Sequence, residues 1–344
     1  MSGIIERYRP YLDLPTDVDP VSLSEGQTPL IPMPRLASEL GAAELHIKFE
    51  GSNPTGSFKD RGMTTAITES VSRGANAVIC ASTGNTAASA AAYAARAGMR
   101  CVVLLPHGNV ASGKLAGAYA HGAEVVEVEG SFDDALDLAV RLSEKNPIGL
   151  VNSLNPYRLE GQKTAAFEIV ETLEAAPDWL ALPVGNAGNI SAYWMGFRQL
   201  ADGEGAELPQ LLGIQASGSA PLVEGRTIEH PETVASAIRI GKPARGEQAL
   251  SAVKESNGRF VAVPDQKILD AQRDLAHQGI WVEPASAAGL AGLRSEVAAG
   301  NLNLEGQRVV CVCTGHGLKD PHIPPEPSAL IPPTLEALEE LLQL

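Results

Sequence analysis

From Ala77 onward the chain alternates between two kinds of stretch, and this alternation narrows the available folds more than any other feature. Short β-type runs stand at 77–81, 100–105, 124–129 and 149–153, with helical stretches at 86–97, 112–121 and 132–145 between them. A second series follows: strand 179–184, helix 190–200, strand 211–216, a Pro/Gly-broken segment to about Ala249, strand 260–263, helix 265–278, strand 280–283, helix 285–299 and strand 308–313. Strands joined through helices by short links build doubly wound parallel sheets. The economical architecture is α/β: two αβα blocks with mostly parallel twisted sheets and a cleft between them. The larger block is expected to comprise 1–55 and 152–344, and the smaller 56–151. Residues Met1 to Leu40 are rich in Pro and acidic residues and are expected to wrap the surface. The Pro-rich segment 321–333 and the short helix after it read as a surface strap.

Ahead of this series an alternating run at 45–50 reads as a strand, which Gly51-Ser52-Asn53-Pro54 breaks. A helix is expected from Phe58, which places Lys59 in its first turn behind a loop of small residues. A positive helix N-terminus and desolvation both disfavour an ammonium, so this lysine is a candidate free amine near neutral pH. Schiff-base chemistry needs such an amine at the floor of a cleft. A solvated surface lysine at a helix start would have the same local sequence.

Three more loops stand where predicted strands end. Ser82-Thr83-Gly84-Asn85-Thr86 opens a helix with unpaired N–H groups, hydroxyls and a carboxamide, a receptor for a carboxylate or, more plainly, a helix N-cap. Gly185-Asn186-Ala187-Gly188-Asn189 lets successive N–H groups converge on a dianion, though a simple βα turn also uses Gly and Asn. Its spacing is not that of a dinucleotide fingerprint. Thr314-Gly315-His316-Gly317-Leu318-Lys319-Asp320 offers a hydroxyl that could hydrogen-bond a pyridine nitrogen without protonating it, or it is a glycine turn that ends the strand.

Asn53-Pro54-Thr55-Gly56-Ser57-Phe58-Lys59-Asp60-Arg61-Gly62 resembles the pyridoxal-phosphate lysine motif of the tryptophan-synthase-β-like (fold type II) enzymes, and is most similar to that of the threonine synthases among them. Glu25-Gly26-Gln27-Thr28-Pro29-Leu30 resembles another motif of the family, and the likeness runs from about Gly26 to Pro321. The resemblance implies pyridoxal 5′-phosphate attached to Lys59, with Asn85 facing the ring hydroxyl and Thr314 the ring nitrogen. Gly185, Asn186, Ala187, Gly188 and Asn189 would cradle the cofactor phosphate. Ser82, Thr83, Gly84 and Thr86 would take the substrate carboxylate. A neutral partner at the ring nitrogen makes the ring a weaker electron sink than an aspartate would.

The choice of reaction turns on the far end of the substrate. The segment Asn152 to Thr164 resembles that of the threonine synthases, in which Arg158 and Asn152, with Thr86 and Asn186, would hold the phosphate of O-phospho-L-homoserine. Read without the family, Arg158 is a surface arginine paired with a helix acid such as Glu160. A threonine or serine dehydratase on the same cofactor is the alternative, but its substrate has no phosphate to hold. The implied mechanism uses the Lys59 amine as base for the α and β protons, and it needs one block to close on the other. Family likeness also implies a homodimer.

The remaining readings are exclusions. Hydrophobic residues make up 44% and charged residues 19% of the chain, which fits a soluble globular enzyme. A net charge of −15 argues against nucleic acid and anionic membrane as partners. No apolar run reaches spanning length and residues 1–10 carry no signal-peptide core, so the cytoplasm is the expected compartment. Cys80, Cys101, Cys311 and Cys313 fall in predicted strands and read as buried reduced thiols; no metal site is expected from Cys311 and Cys313. Gly108-Asn109-Val110-Ala111-Ser112-Gly113-Lys114 has P-loop spacing, but Leu115 replaces the Ser or Thr that would bind magnesium, so a βα turn is expected. An appended regulatory domain after residue 320 is not expected.

Overall fold

The structure is a computed structural model that describes residues 2–108, 112–205, 207–321 and 329–343. The strands are β1 (Leu30–Pro32), β2 (Glu44–Phe49), β3 (Ala77–Ala81), β4 (Arg100–Pro106), β5 (Glu124–Val128), β6 (Ile148–Leu150), β7 (Trp179–Pro183), β8 (Gln210–Ala216), β9 (Arg259–Val263) and β10 (Arg308–Cys313). The helices are α1 (Ile4–Tyr8), α2 (Pro34–Leu40), α3 (Lys59–Ser72), α4 (Asn85–Arg96), α5 (Ser112–Ala120), α6 (Phe132–Lys145), α7 (Tyr157–Leu173), α8 (Gly188–Glu204), α9 (Pro221–Glu224), α10 (Gly246–Glu255), α11 (Asp265–His277), α12 (Pro284–Ala298) and α13 (Leu335–Leu342).

Two sheets form. The larger has the order β1-β2-β10-β7-β8-β9, parallel except for the β1–β2 pair. The smaller, β5-β4-β3-β6, is parallel throughout. Central strands covered by helices on both faces are apolar at every position, as all five buried residues of β3 and of β7 illustrate. Edge strand β5 has no fully buried residue, only the half-buried Val125 and Val128. All four cysteines are buried and free. No helix among the described residues is long and apolar enough to cross a membrane.

Sheet order positions the site. β10 returns late in the chain to lie between β2 and β7, so the segments leaving the carboxyl ends of these three strands become neighbours. They carry Lys59, Thr314 and Gly185–Asn189. In the smaller sheet, adjacent β3 and β6 lead into Ser82–Thr86 and Asn152. In open α/β sheets, ligands bind outside strand carboxyl ends where the strand order reverses.

Three expectations need correction. Residues 280–283 do not form a strand: Val282 makes a single bridge to His316. Gly279 turns the chain at φ +85°, and Glu283 already caps α12, whose first residue is Pro284. The first 40 residues do more than wrap the surface, because Ile4, Ile5, Tyr8, Leu12 and Leu14 pack on Phe167 and Leu200, and α2 joins the core of the larger sheet. Helix α7 is not revealed by periodicity. Its 17 residues bury Arg158, Gln162, Lys163, Thr164 and Glu168 along with apolar ones, so its polarity carries little amphipathic signal. Of the segment 321–333, residues 322–328 lie outside the described residues; α13 buries no side chain.

One buried charge network ties these elements together. Arg61 forks onto Glu50 at 2.7 and 2.8 Å and onto Glu168 at 2.7 Å through each terminal nitrogen. Lys48 of β2 donates to Glu168 at 2.7 Å and to the Thr28 carbonyl at 2.8 Å. Two cations and two carboxylates thus neutralise each other. The remaining lone pairs of Glu168 accept the N–H groups of Gln27 and Thr28. Burial alone would raise the Glu168 carboxyl, but Arg61 and Lys48 hold it well below the usual carboxylate range.

Candidate active site

The loop carrying Lys59 is fixed by backbone before any ligand is considered. Phe58 N–H donates to the Thr314 carbonyl at 3.0 Å and His316 N–H to the Gly56 carbonyl at 2.9 Å, with Ser57 and Gly315 bridged between them. Asp60 ties the same loop to α4. Its carboxylate accepts from Thr55 N, Thr55 Oγ1 and Ser89 Oγ at 2.7, 2.6 and 2.6 Å, and burial raises its pKa to about 6. Helices α3 and α7 then cross at two glycines. A Cβ on Gly161 would stand 1.8 Å from the Arg61 carbonyl, and one on Gly62 would stand 2.6 Å from Arg158 Nε. This approach is open only to glycine, and it brings Arg158 into the cleft beside Lys59.

A cavity of about 380 Å³ lies between the two sheets, within the usual range for small-molecule sites. Every residue expected of the site lines it: Lys59, Ser82, Thr83, Gly84, Asn85, Thr86, Asn152, Arg158, Gly185, Asn186, Ala187, Gly188, Asn189 and Thr314. The Lys59 ammonium has neither a carboxylate partner nor a hydrogen bond among the described residues, and it sits 4.3 Å from the Phe58 ring centroid. Loss of hydration is the main cause that lowers its pKa to about 7; the Arg158 cation lowers it further and Glu283 opposes both. Desolvation thus acts as the sequence suggests, and the neighbouring arginine adds a cause that local sequence does not reveal.

Arg158 is 1% exposed, so it is not the surface arginine paired with Glu160; that acid instead bonds Lys163. One terminal nitrogen donates to the Val151 carbonyl at 2.8 Å, while Nε has no partner among the described residues. Burial lowers its pKa to about 10. A buried donor left unpaired costs about 1–3 kcal/mol, more when charged.

The two receptor loops differ in detail. Among the described residues, the backbone N–H groups of Gly185 to Asn189 donate to no carbonyl. Ala187 takes φ +64° at the head of α8, a left-handed conformation rare for a residue with a Cβ. Asn189 Nδ2 is buried and has no partner among the described residues. Asn186 is held by the N–H groups of Ala244 and Arg245. In the other loop, Ser82 Oγ accepts from Gly84 N and Ala87 N at 3.3 Å each, while the N-cap position of α4 is Gly84, which has no side chain to cap with. Asn152 donates to and accepts from the Ala81 backbone at 2.9 Å, which pins the start of this loop and leaves one amide hydrogen. The P-loop-like residues 109–111 lie outside the described residues.

Sequence reasoning missed Glu283. Its buried carboxylate accepts from Asn85 Nδ2 at 3.2 and 3.0 Å, across the cleft between α4 and α12. Burial raises its pKa against the pull of Asn85, Lys319 and Lys59. The available signal was an acid directly before a proline that opens an apolar helix. Lys319 and Asp320, quoted only as part of a turn, also line the cleft.

A family model described as pyridoxal-phosphate dependent enzyme matches residues 21–315. The threonine synthase of Synechocystis sp. is 57% identical over 325 residues, covering 93% of this chain and 84% of its own. That of Halalkalibacterium halodurans is 53% identical over 321 residues, covering 93% and 90%. Among solved structures, maize serine racemase superposes with a TM-score of 0.75 at 21% identity, over 91% of each chain, which is a likeness of fold.

Proposed function

The chain belongs to the pyridoxal-phosphate-dependent enzymes, among the threonine synthases, and from that premise we propose how its residues divide the work. The reaction is the conversion of O-phospho-L-homoserine and water to L-threonine and phosphate, a γ-elimination followed by β-hydration. When bound, pyridoxal phosphate supplies an electron sink for charge that develops at the α- and β-carbons. The residues present fit it. An amine with no other partner is available at Lys59, and convergent N–H groups at 185–189 suit a phosphate dianion, with the unpaired Asn189 amide beside them. Lys59 is the point of attachment, Gly185 to Asn189 hold the phosphate, Thr314 faces the ring nitrogen and Asn85 the ring hydroxyl.

Ser82, Thr83, Gly84 and Thr86 bind the substrate carboxylate. Arg158 takes the substrate phosphate with Asn186, Thr86 and the remaining amide hydrogen of Asn152. Once free, Lys59 Nζ is the base for the α-proton, and it serves again for a β-proton only after giving the first one up and returning to the neutral amine; a pKa of about 7 lets it cycle between the two forms at neutral pH. Water must stay out until phosphate has left. We assign that exclusion to closure of a block spanning 56–151 on the rest of the chain, with Asn85–Glu283 the contact that registers it. The working form we propose is a cytoplasmic homodimer.

The single observation carrying this reading is the buried Arg158 guanidinium with an unpaired Nε beside an unpaired lysine. A cleft with surplus cationic donors suits a doubly anionic substrate, whereas a dehydratase substrate would leave Arg158 unmatched. Purified holoenzyme given O-phospho-L-homoserine is expected to release phosphate and threonine in equal amounts. Formation of a 2-oxo acid from threonine, with no phosphate release from O-phospho-L-homoserine, would identify a dehydratase instead.

A further inference from the structure

Behind Thr314, outside the cleft lining, Ser286 occupies the first turn of α12 and is completely buried. Its Oγ lies 2.8 Å from Gly315 N, 2.9 Å from Thr314 Oγ1 and 3.3 Å from the Gly315 carbonyl. The Gly315 N–H can only donate, so one lone pair of Ser286 is taken. The single hydroxyl proton of Ser286 then has two possible acceptors, and Thr314 Oγ1 is the nearer. A proton given to Thr314 leaves the proton of that threonine free to point away from Ser286. The Thr314 backbone cannot drift to compensate, because its carbonyl accepts Phe58 N–H at 3.0 Å.

We propose that Ser286 is a positioning residue which fixes Thr314 as a hydrogen-bond donor into the cleft and so selects a cofactor ring whose nitrogen carries no proton. The chain runs from Gly315 N–H through Ser286 O–H to Thr314 O–H, and its direction is set at the backbone. The opposite polarity would have Thr314 donate to Ser286 and Ser286 donate to Gly315 over the longer 3.3 Å path. Thr314 would then accept from the cleft and match a protonated ring. This inference rests on the assignment of Thr314 to the ring nitrogen proposed above.

The test is the pH dependence of the ring-nitrogen signal by nitrogen-15 NMR, in holoenzyme reconstituted with ring-labelled pyridoxal phosphate. In the unaltered protein the nitrogen should be unprotonated at neutral pH, with its protonation midpoint near the acid end of the range in which the protein remains folded. Ser286→Ala frees the Thr314 hydroxyl to turn and accept, so the protonation midpoint should rise by about one pH unit. Ser286→Thr, which keeps the hydroxyl, should restore the original behaviour, and Ser286→Cys, a weak donor of similar size, should fall between. A protonated ring in the unaltered protein would overturn the proposed polarity. If Thr314→Val moves the midpoint but neither Ser286→Ala nor Ser286→Cys does, Ser286 has no such role. If Thr314→Val also has no effect, the assignment of Thr314 fails and the proposal fails with it.

Discussion

Arg61 and Arg158 are both at most 1% exposed, yet they are buried in opposite ways. Every nitrogen of Arg61 is bonded, to Glu50, Glu168, Thr28 or Thr164, and its pKa is raised. Arg158 has one carbonyl partner and an unpaired Nε, and its pKa is lowered to about 10. The same contrast separates the lysines. Lys48 is paired with Glu168 at 2.7 Å, whereas Lys59, only two residues from Arg61, has no such partner. Helix α3 thus begins at a boundary between a region whose charges are satisfied by the fold and one whose charges are left for a ligand. Paired buried charges hold structure together, while unpaired ones raise the energy of the empty site and lower that of the occupied one.

The contrast makes testable claims on both sides. The largest effect is expected on the ligand side: Lys59→Ala should lower threonine formation by a factor on the order of 10⁴ and abolish the visible cofactor band. Lys48→Met should leave turnover per folded molecule unchanged. Persistence of both colour and turnover in Lys59→Ala would erase the distinction between the two lysines.

On the structural side, Arg61→Met leaves two carboxylates facing one lysine. Denaturant unfolding should report a loss of about 3–5 kcal/mol. Acid offers a gentler probe of the same network. Because the folded-state pKa of Glu168 is depressed, its contribution is fully present above its ordinary carboxylate range and is lost as pH falls below it. The stability of Glu168→Gln should therefore be lower at neutral pH and fall less steeply between about pH 4.5 and the acid limit of the fold. Parallel curves for the two proteins would show that the network does not depend on that charge.

The smallest expected effect links the two arginines to Lys59. In cofactor-free protein, the rate of recombination with pyridoxal phosphate should rise with pH through about 7, as the amine deprotonates. Arg158→Met removes a cation that lowers this pKa, so the midpoint should shift upward by about one unit. An Arg61 variant should shift it less, since Arg158 and Glu283, not Arg61, are the charges that perturb Lys59.

The strand ends were legible in the sequence because punctuation there is local: Gly, Ser, Asn and Pro after short apolar runs mark turns wherever they occur. That is why Ser82–Thr86, Gly185–Asn189 and Thr314–Asp320 could be placed before the sheet order was known. The order itself, with β10 inserted between β2 and β7, depends on pairing between residues far apart in the chain. Helix α7 was illegible because its buried face is polar, and Glu168 looks like a solvent-facing acid until Arg61 and Lys48 are seen against it. Glu283 is hidden similarly: its local sequence reads as the end of a strand, and only the fold brings Asn85 across to it. Periodicity reveals what faces the core when the core is oil; it says little when the core is a salt lattice or a site.

Whether the incomplete bonding of Arg158 is reserved for the substrate phosphate, as proposed, is decided by steady-state kinetics measured beside thermal unfolding on Arg158→Met holoenzyme. KM for O-phospho-L-homoserine should rise roughly 10- to 100-fold with the loss of charged hydrogen bonds, while the melting temperature holds or increases because an unpaired buried charge has gone. An unchanged KM with a lowered melting temperature would contradict the claim and place Arg158 with Arg61 among the residues that hold the fold.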